Sequence, residues 1–404
     1  MCTTVLYQSD EVNPFQQAKP VLETLLSAGY EAYFVGGSVR DLLLGREVGD
    51  IDITTSATPE QVQTLFQKTV PVGIEHGTVL VIHKGQGYEV TTFRTEGTYA
   101  DHRHPASVQF VQNVEEDLMR RDFTMNAIAM TVDGQWIDPF RGKEAIESHT
   151  IASVGDAHDR FQEDALRMMR AVRFQSQLGF TLTEKVDEAI RNKRSLLKHV
   201  AMERNRVEFH KLLNGLHCHE ALKVLFDTGL HEQLPVLCKF ECDARSLLLE
   251  KNLSRLNHRQ IWAFILEVLR IDSAFSIAKE WKFSREETKA IEVLLTGFRI
   301  MKVSEWTKWC VYTYGKETAT DIEQMIACWE SIAERGVHLI WESLPISSRK
   351  QLAVTGNDLL RWRQSTGGPW VKNMLQQIEK HVVEGSLCND RAEIKERVLA
   401  WGNE

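Results

Sequence analysis

At Asp138-Pro139 the pattern of this 404-residue chain changes. Before that point, short apolar stretches alternate with helix signals. An amphipathic helix is predicted near Phe15–Ala28 and a strand at Tyr33–Val35. Thr58-Pro59-Glu60-Gln61 is a capping box with proline at the first helical position, which predicts a helix to about Lys68. Strands at Thr78–His83 and Tyr88–Arg94 flank a turn at Gly85-Gln86-Gly87, and Asp133-Gly134 marks a second hairpin between Ala127–Val132 and Gln135–Ile137. Beyond Pro139 nearly everything reads as helix, with a continuous apolar periodicity through Leu247–Ile271 and a capping box at Ser284-Arg285-Glu286-Glu287. Strands first and helices afterwards give an α+β fold, a small mixed sheet with helices followed by an all-α remainder.

The strand at Tyr33–Val35 ends in Gly36-Gly37, after which Ser38 opens a short helix that Gly45 stops. Main-chain N–H groups at such an elbow, with Arg40 nearby, make a seat for phosphate. Asp50 and Asp52 follow in the extended stretch Asp50–Thr55, where alternation sends both carboxylates to one face. Two hard oxygen ligands beside a phosphate seat suit Mg²⁺-assisted phosphoryl transfer. Neither a Walker A nor a dinucleotide-binding glycine pattern occurs.

Length allows two to four domains. The net charge of −8 is unevenly spread. Residues 1–155 carry 11 Lys and Arg against 21 Asp and Glu, residues 156–211 carry 12 against 9, and the remainder carries 25 against 26. A local basic segment is enough for RNA contact. The seven cysteines are scattered, as expected for a reducing cytoplasm, and His217-Cys218-His219 with Cys238 and Cys242 fits no common zinc spacing. No apolar run reaches membrane-spanning length, so no membrane partner is expected. Nine of the ten tryptophans follow residue 260 and are expected in cores, apart from Arg361-Trp362-Arg363 and Gly368-Pro369-Trp370-Val371-Lys372, where aromatics interleaved with cations suit an RNA backbone.

The elbow and the Asp-x-Asp pair, in this order within twenty residues, resemble the signature of the polymerase-β-like nucleotidyltransferases. The run Gly36–Gly45 resembles the tRNA CCA-adding enzymes and bacterial poly(A) polymerases in particular. Arg120-Arg121-Asp122-Phe123-Thr124-Met125-Asn126-Ala127, after an acidic helix start at Asn113–Asp117, is similar to a second signature of the CCA-adding family. By that resemblance Arg121 contacts the nucleotide, and Asp122 and Asn126 are candidates for the ribose hydroxyls. Glu89 becomes a third carboxylate near the metals.

Glu163–Phe174 is expected as one helix that sets Asp164 and Arg167 one turn apart, with Arg170 and Arg173 continuing the row. Cytosine and adenine both present an amino donor beside a ring-nitrogen acceptor. A carboxylate accepts from the first and a guanidinium donates to the second. Uracil and guanine reverse that order and leave buried charges unpaired. The resemblance assigns this selection of CTP and ATP to Asp164 and Arg167, and leaves Arg170 and Arg173 for the triphosphate.

Glu203–Glu208 resembles the family's last neck motif, a support for that helix, and Asp138-Pro139-Phe140-Arg141-Gly142 resembles its head–neck hinge, with Arg141 where relatives often have a second glycine. The polar segment Arg94–Ser107 matches in place a flexible loop that these enzymes need for the switch from CTP to ATP. His158-Asp159 is a lone pair without the further ligands of a phosphohydrolase extension.

The resemblance implies a class II bacterial architecture: a nucleotidyltransferase head at 1–147, a neck recognising the base at 148–208, and a helical body and tail that bind tRNA at 209–282 and 283–404. It implies template-independent addition of C, C and A to the tRNA 3′ end, with Mg²⁺ as cofactor and Asp50 and Asp52 as catalytic ligands. Gly37, Ser38 and Arg40 then hold phosphate. The alternatives are a poly(A) polymerase, an enzyme adding only part of CCA, and a catalytically silent tRNA-binding protein.

Overall fold

The computed structural model describes residues 13–96 and 108–401. Of the loop expected at Arg94–Ser107, Arg94–Glu96 form a strand, and the rest, 97–107, lies outside the described residues. The chain divides into two compact units, Met1–Lys239 and Phe240–Glu404, a division that falls inside the segment expected as body.

The first unit begins with α1 (Pro14–Ser27), β1 (Ala32–Val35), α2 (Gly37–Leu43), β2 (Asp52–Thr55), α3 (Pro59–Leu65), β3 (Thr69–Gly73), β4 (Thr78–His83), β5 (Gln86–Thr92), β6 (Arg94–Glu96), β7 (Val108–Phe110), α4 (Val114–Met119), β8 (Ala129–Met130) and β9 (Trp136–Ile137). It continues through α5 (Gly142–Glu147), β10 (Thr150–Ile151), α6 (Ala157–Glu163), α7 (Leu166–Leu178), β11 (Thr181–Leu182), α8 (Glu184–Lys193), α9 (Met202–Leu213) and α10 (Cys218–Asp227).

Seven strands form a mixed sheet in the order β3-β4-β5-β2-β1-β8-β9. β1 lies antiparallel to β2 and β8, while β2 and β5 run parallel with Asp52 opposite Glu89. The β4–β5 turn is Lys84-Gly85, not the Gly85-Gln86-Gly87 expected from sequence. Both residues have positive φ, 49° and 84°, the primed-turn geometry that matches strand twist, so Gln86 and Gly87 already belong to β5. β3 escaped the sequence reading because Pro71 interrupts it and Val70 and Val72 stay exposed, as suits an edge strand. The capping box at Thr58 is formed, and α3 stops at Leu65 because Phe66 turns extended.

On one side of the sheet, Val35, Phe93, Leu118, Ala127 and Ala129 build a core against α4. α7 is the central helix of the segment after Asp138-Pro139, burying Leu166, Met168, Met169, Ala171, Val172 and Phe174 and packing on α9 and α10.

The second unit contains α11 (Cys242–Leu249), α12 (His258–Val268), α13 (Arg285–Met301), α14 (Lys308–Tyr314), α15 (Lys316–Glu330), α16 (Val337–Glu342), α17 (Gly356–Arg363), α18 (Pro369–Glu384) and α19 (Arg391–Ala400). The periodicity through Leu247–Ile271 is divided between α11 and α12, because Asn257 and Gln260 form a reciprocal capping box that starts a new helix. Trp262 and Trp281 are fully buried and meet edge to face at 4.5 Å. Trp362 and Trp370 lie partly buried against a core of Leu359, Ile378, Val382 and Ile394, with Arg391 over the first ring and Arg363 over the second. Among the described residues no helix is long and apolar enough to cross a membrane.

Candidate active site

Gly36 forms the elbow between β1 and α2, with φ 77° and ψ −138°, a conformation open in practice only to glycine. A Cβ there would stand 3.2 Å from Asp52 Oδ2 and 3.3 Å from Arg121 Nη1. The missing side chain is therefore what lets an acid and a base close on the elbow together. Ser38 does not cap the helix. It is 3% exposed, and its hydroxyl donates back to the carbonyl of Val35 at 3.1 Å, which fixes the turn.

Asp52 opens β2 directly across from Val35 and beside Glu89 of β5, while Asp50 stands two residues earlier on an exposed bend. Burial pushes the Asp52 carboxyl up to about 6; Arg121 opposes the shift, and Glu89 and Asp50 add to it. Glu89 and Asp50 thus both act electrostatically on Asp52, but Asp50 lies on a bend ahead of β2 and not in the extended stretch from Asp50 that strand alternation required. Two exposed carboxylates acting on a more buried third suit a divalent, oxygen-preferring cation, which would relieve the repulsion at Asp52.

Arg121 is oriented by Asp117, a residue the sequence reading passed over as part of an acidic helix start. Asp117 is fully buried and accepts from Nε and Nη2 of Arg120 at 2.9 and 2.8 Å, from Arg121 Nη2 at 3.4 Å and from the Arg94 main chain at 3.3 Å. Burial alone would raise its pKa, but Arg120 and Arg121 outweigh it and keep the carboxyl below its ordinary range. The spacing of Asp117 to Arg120 and Arg121, three and four along a helix, was the available signal.

A chain of hydrogen bonds joins α2 to α7. Arg40 Nη1 donates to Asn126 Oδ1 at 2.7 Å, and Asn126 Nδ2 donates to Asp122 Oδ1 at 3.1 Å. Arg170 Nε donates to Asp122 Oδ2 at 2.7 Å, while Arg173 Nε donates to Glu208 at 2.8 Å. Arg40 also holds the carboxylate of Asp41 at 2.9 and 3.0 Å. Against the opposing effect of burial, Arg170, Asn126 and the Phe123 N–H hold Asp122 down to about 2. Burial, with Arg170 adding to it and Glu208 opposing, pushes the Arg173 guanidinium down to about 10.

Glu163–Phe174 is not one helix. α6 ends at Glu163, Asp164 is extended at φ −133° and ψ 103°, and α7 begins at Leu166. Asp164 breaks the helix in the way aspartate does at caps, its Oδ1 accepting from the Leu166 N–H at 3.0 Å. Asp164 and Arg167 therefore do not form the expected one-turn pair. Arg204 of α9 grips Asp164 instead, while Arg167, 7% exposed, donates to Glu163 at 2.7 Å and to the carbonyl of Arg120 at 2.8 Å. Arg204 and Glu208 belong to the segment read only as helix support.

In the segment expected as a hinge, Asp138 accepts from the N–H groups of Gly142 and Lys143 at 2.6 and 2.9 Å. Arg141 is left-handed at φ 58°, where a glycine would be relaxed. A Cβ on Gly142 would lie 2.3 Å from the carbonyl oxygen of Thr124.

Residues 32–152 match the family described as the poly A polymerase head domain, residues 254–398 match tRNA nucleotidyltransferase domain 2, and residues 179–240 match a probable RNA- and SrmB-binding site of polymerase A. A CCA-adding enzyme of Bacillus cereus strain G9842 is 47% identical over 391 residues, covering 96% of this chain and 98% of the relative. One from Geobacillus sp. strain WCH70 is 48% identical over 394 residues, covering 96% of each. The crystal structure of the Bacillus stearothermophilus CCA-adding enzyme in complex with CTP superposes with a TM-score of 0.86 at 40% identity, covering 97% of this chain and 98% of that one. Nucleotidyltransferases of this kind generally use divalent metal ions, in keeping with the carboxylates around Asp52. The elbow, the acids facing it and these full-length likenesses lead to one assignment: the chain belongs to the CCA-adding enzymes, a family of nucleotidyltransferases.

Proposed function

We propose that this chain adds C, C and A in turn to the 3′ end of tRNA, taking nucleotides from CTP and ATP and releasing pyrophosphate at each step. The observation that carries this reading is the close approach of Asp52 and Arg121 to Gly36, beside Glu89. The RNA 3′-hydroxyl attacks the α-phosphorus of the bound nucleotide, and the bond to the leaving pyrophosphate breaks. Mg²⁺ held by Asp50, Asp52 and Glu89 would make that hydroxyl easier to deprotonate and screen the triphosphate.

The protein's own groups bind and orient. Gly37 and Ser38 offer main-chain N–H groups, and Arg40, Arg170 and Arg173 supply positive charge for the phosphates. Arg121 reaches the nucleotide from beside Asp52. Asp164 and Arg167 select the base. Each is already oriented by its own partner, Arg204 for one and Glu163 for the other, and each keeps further hydrogen-bonding capacity. Asp122 and Asn126 sit within the network, so a ribose contact there requires Arg170 or Arg40 to yield. Residues 1–147 serve as head and 148–208 as neck. Residues 209–282 and 283–404, as body and tail, hold the duplex acceptor arm by shape and backbone contact.

The test is incubation of the pure protein with tRNA lacking its 3′ end, each nucleotide offered alone and in combination. Two cytidines followed by one adenosine support the reading. Unlimited A addition, a halt after CC, or tight binding without pyrophosphate release would each replace it.

A further inference from the structure

The three arginines assigned to the phosphates share one neighbour. The Cζ atoms of Arg173, Arg40 and Arg170 lie 3.6, 5.4 and 5.5 Å from the ring centroid of Phe174. The ring is 4% exposed and fixed by Phe123, which meets it edge to face at 5.8 Å. Arg40 comes from α2, ahead of the hinge, and the other two from α7, beyond it.

Three like charges gathered at one place repel, and no single acid gathers all three. Asp41 holds Arg40 and Asp122 holds Arg170, while Glu208 holds Arg173 at 2.8 Å and reaches Arg170 at 3.9 Å. What the guanidiniums have in common is the electron-rich ring.

We propose that Phe174 is a positioning residue, whose ring draws Arg40, Arg170 and Arg173 into one convergent set so that a triphosphate meets all three at once. The proposal rests on the reading of those arginines as triphosphate-facing. It goes beyond packing, because an aliphatic side chain of similar size would fill the same space without attracting cations.

Fluorination separates the two roles, since it drains the ring face of negative charge with little change of shape. Full-length protein carrying 4-fluoro-, 3,5-difluoro- or 3,4,5-trifluorophenylalanine at position 174 should show KM for CTP and for ATP rising stepwise together, by about tenfold at the trifluoro ring. kcat should hold within about twofold and the melting temperature should stay level, as expected when the ring acts on bound phosphate rather than on the fold. A flat KM series, or a rise that tracks a falling melting temperature, overturns the proposal. Arg40→Lys, Arg170→Lys and Arg173→Lys in the same assay tell the two readings apart. If they raise KM while the fluorinated series is flat, only the role of Phe174 fails. If they leave KM unmoved, the arginines do not meet the triphosphate, and both readings fall.

Discussion

Arg204 clamps Asp164 with both terminal nitrogens, Nη2 to Oδ2 at 2.8 Å and Nη1 to Oδ1 at 3.3 Å, across the space between α9 and the break ahead of α7. A carboxylate outside regular helix has no backbone to aim it, so its direction is set by this clamp and by the Leu166 N–H.

Loss of the clamp should therefore loosen base choice before it harms chemistry. Arg204→Gln is expected to lower the preference for CTP over UTP, measured as the ratio of kcat/KM values, by about tenfold, the equivalent of about 1.4 kcal/mol. Equal losses for both nucleotides would mean that Arg204 supports only the fold.

Asp52 should trade stability for function. Its carboxyl is raised from 3.8 to about 6 in the folded protein. A raised carboxyl favours folding most below the unfolded value, and that advantage disappears as pH climbs through 6, so at pH 8 the ionised group is a cost of up to about 3 kcal/mol. In chelator, Asp52→Asn should melt above the parent at pH 8, with the gap closing toward pH 4, and should transfer no nucleotide. Added Mg²⁺ should stabilise the parent and leave the variant where it was.

The elbow was legible in the sequence because its geometry is local. Gly-Gly after a strand demands a turn of that kind, whereas the extended stretch expected from Asp50 starts only at Asp52, with Asp50 on a bend before it. The surroundings of Asp164 and Arg167 were not, since helical spacing put the two on one face, whereas Asp164 lies at the break between two helices and turns to a residue forty positions away. The contacts of Arg40 with Phe174 and of Glu208 with Arg173 were hidden for the same reason, because only tertiary packing brings their elements together. Regime and helix content followed from periodicity. An edge strand with Pro71 inside it carries no such pattern.

Backbone strain at Arg141 and close packing at Gly142 give a pair of opposite outcomes. Arg141 is held left-handed, which costs a side-chain-bearing residue about 1 kcal/mol, so Arg141→Gly should be neutral to stabilising by up to about 1 kcal/mol in denaturant titration. Gly142→Ala places a methyl against the Thr124 carbonyl, and with the 2.3 Å approach it should destabilise by about 2 kcal/mol or more. Similar effects at both positions would mean that the turn relaxes freely.

Asp122 should show its partner through acid. It is 7% exposed, accepts from Arg170, Asn126 and the Phe123 main chain, and is held down to about 2. A depressed carboxyl contributes stability above its unfolded value, near 4, and loses it as pH falls toward 2; at neutral pH that contribution is about 2 kcal/mol. Asp122→Asn keeps the shape, removes the charge and leaves Arg170 with Glu208 at 3.9 Å as its remaining acid. The variant should be less stable than the parent at pH 7 by at least that amount, because breaking a buried pair also strands the cation. The difference should narrow steadily between pH 4 and pH 2 in parallel denaturant titrations. A gap that stayed constant down to pH 2 would mean that Asp122 is held by packing and neutral hydrogen bonds rather than by Arg170, and the link from Arg40 through Asn126 and Asp122 to Arg170 would lose its electrostatic member.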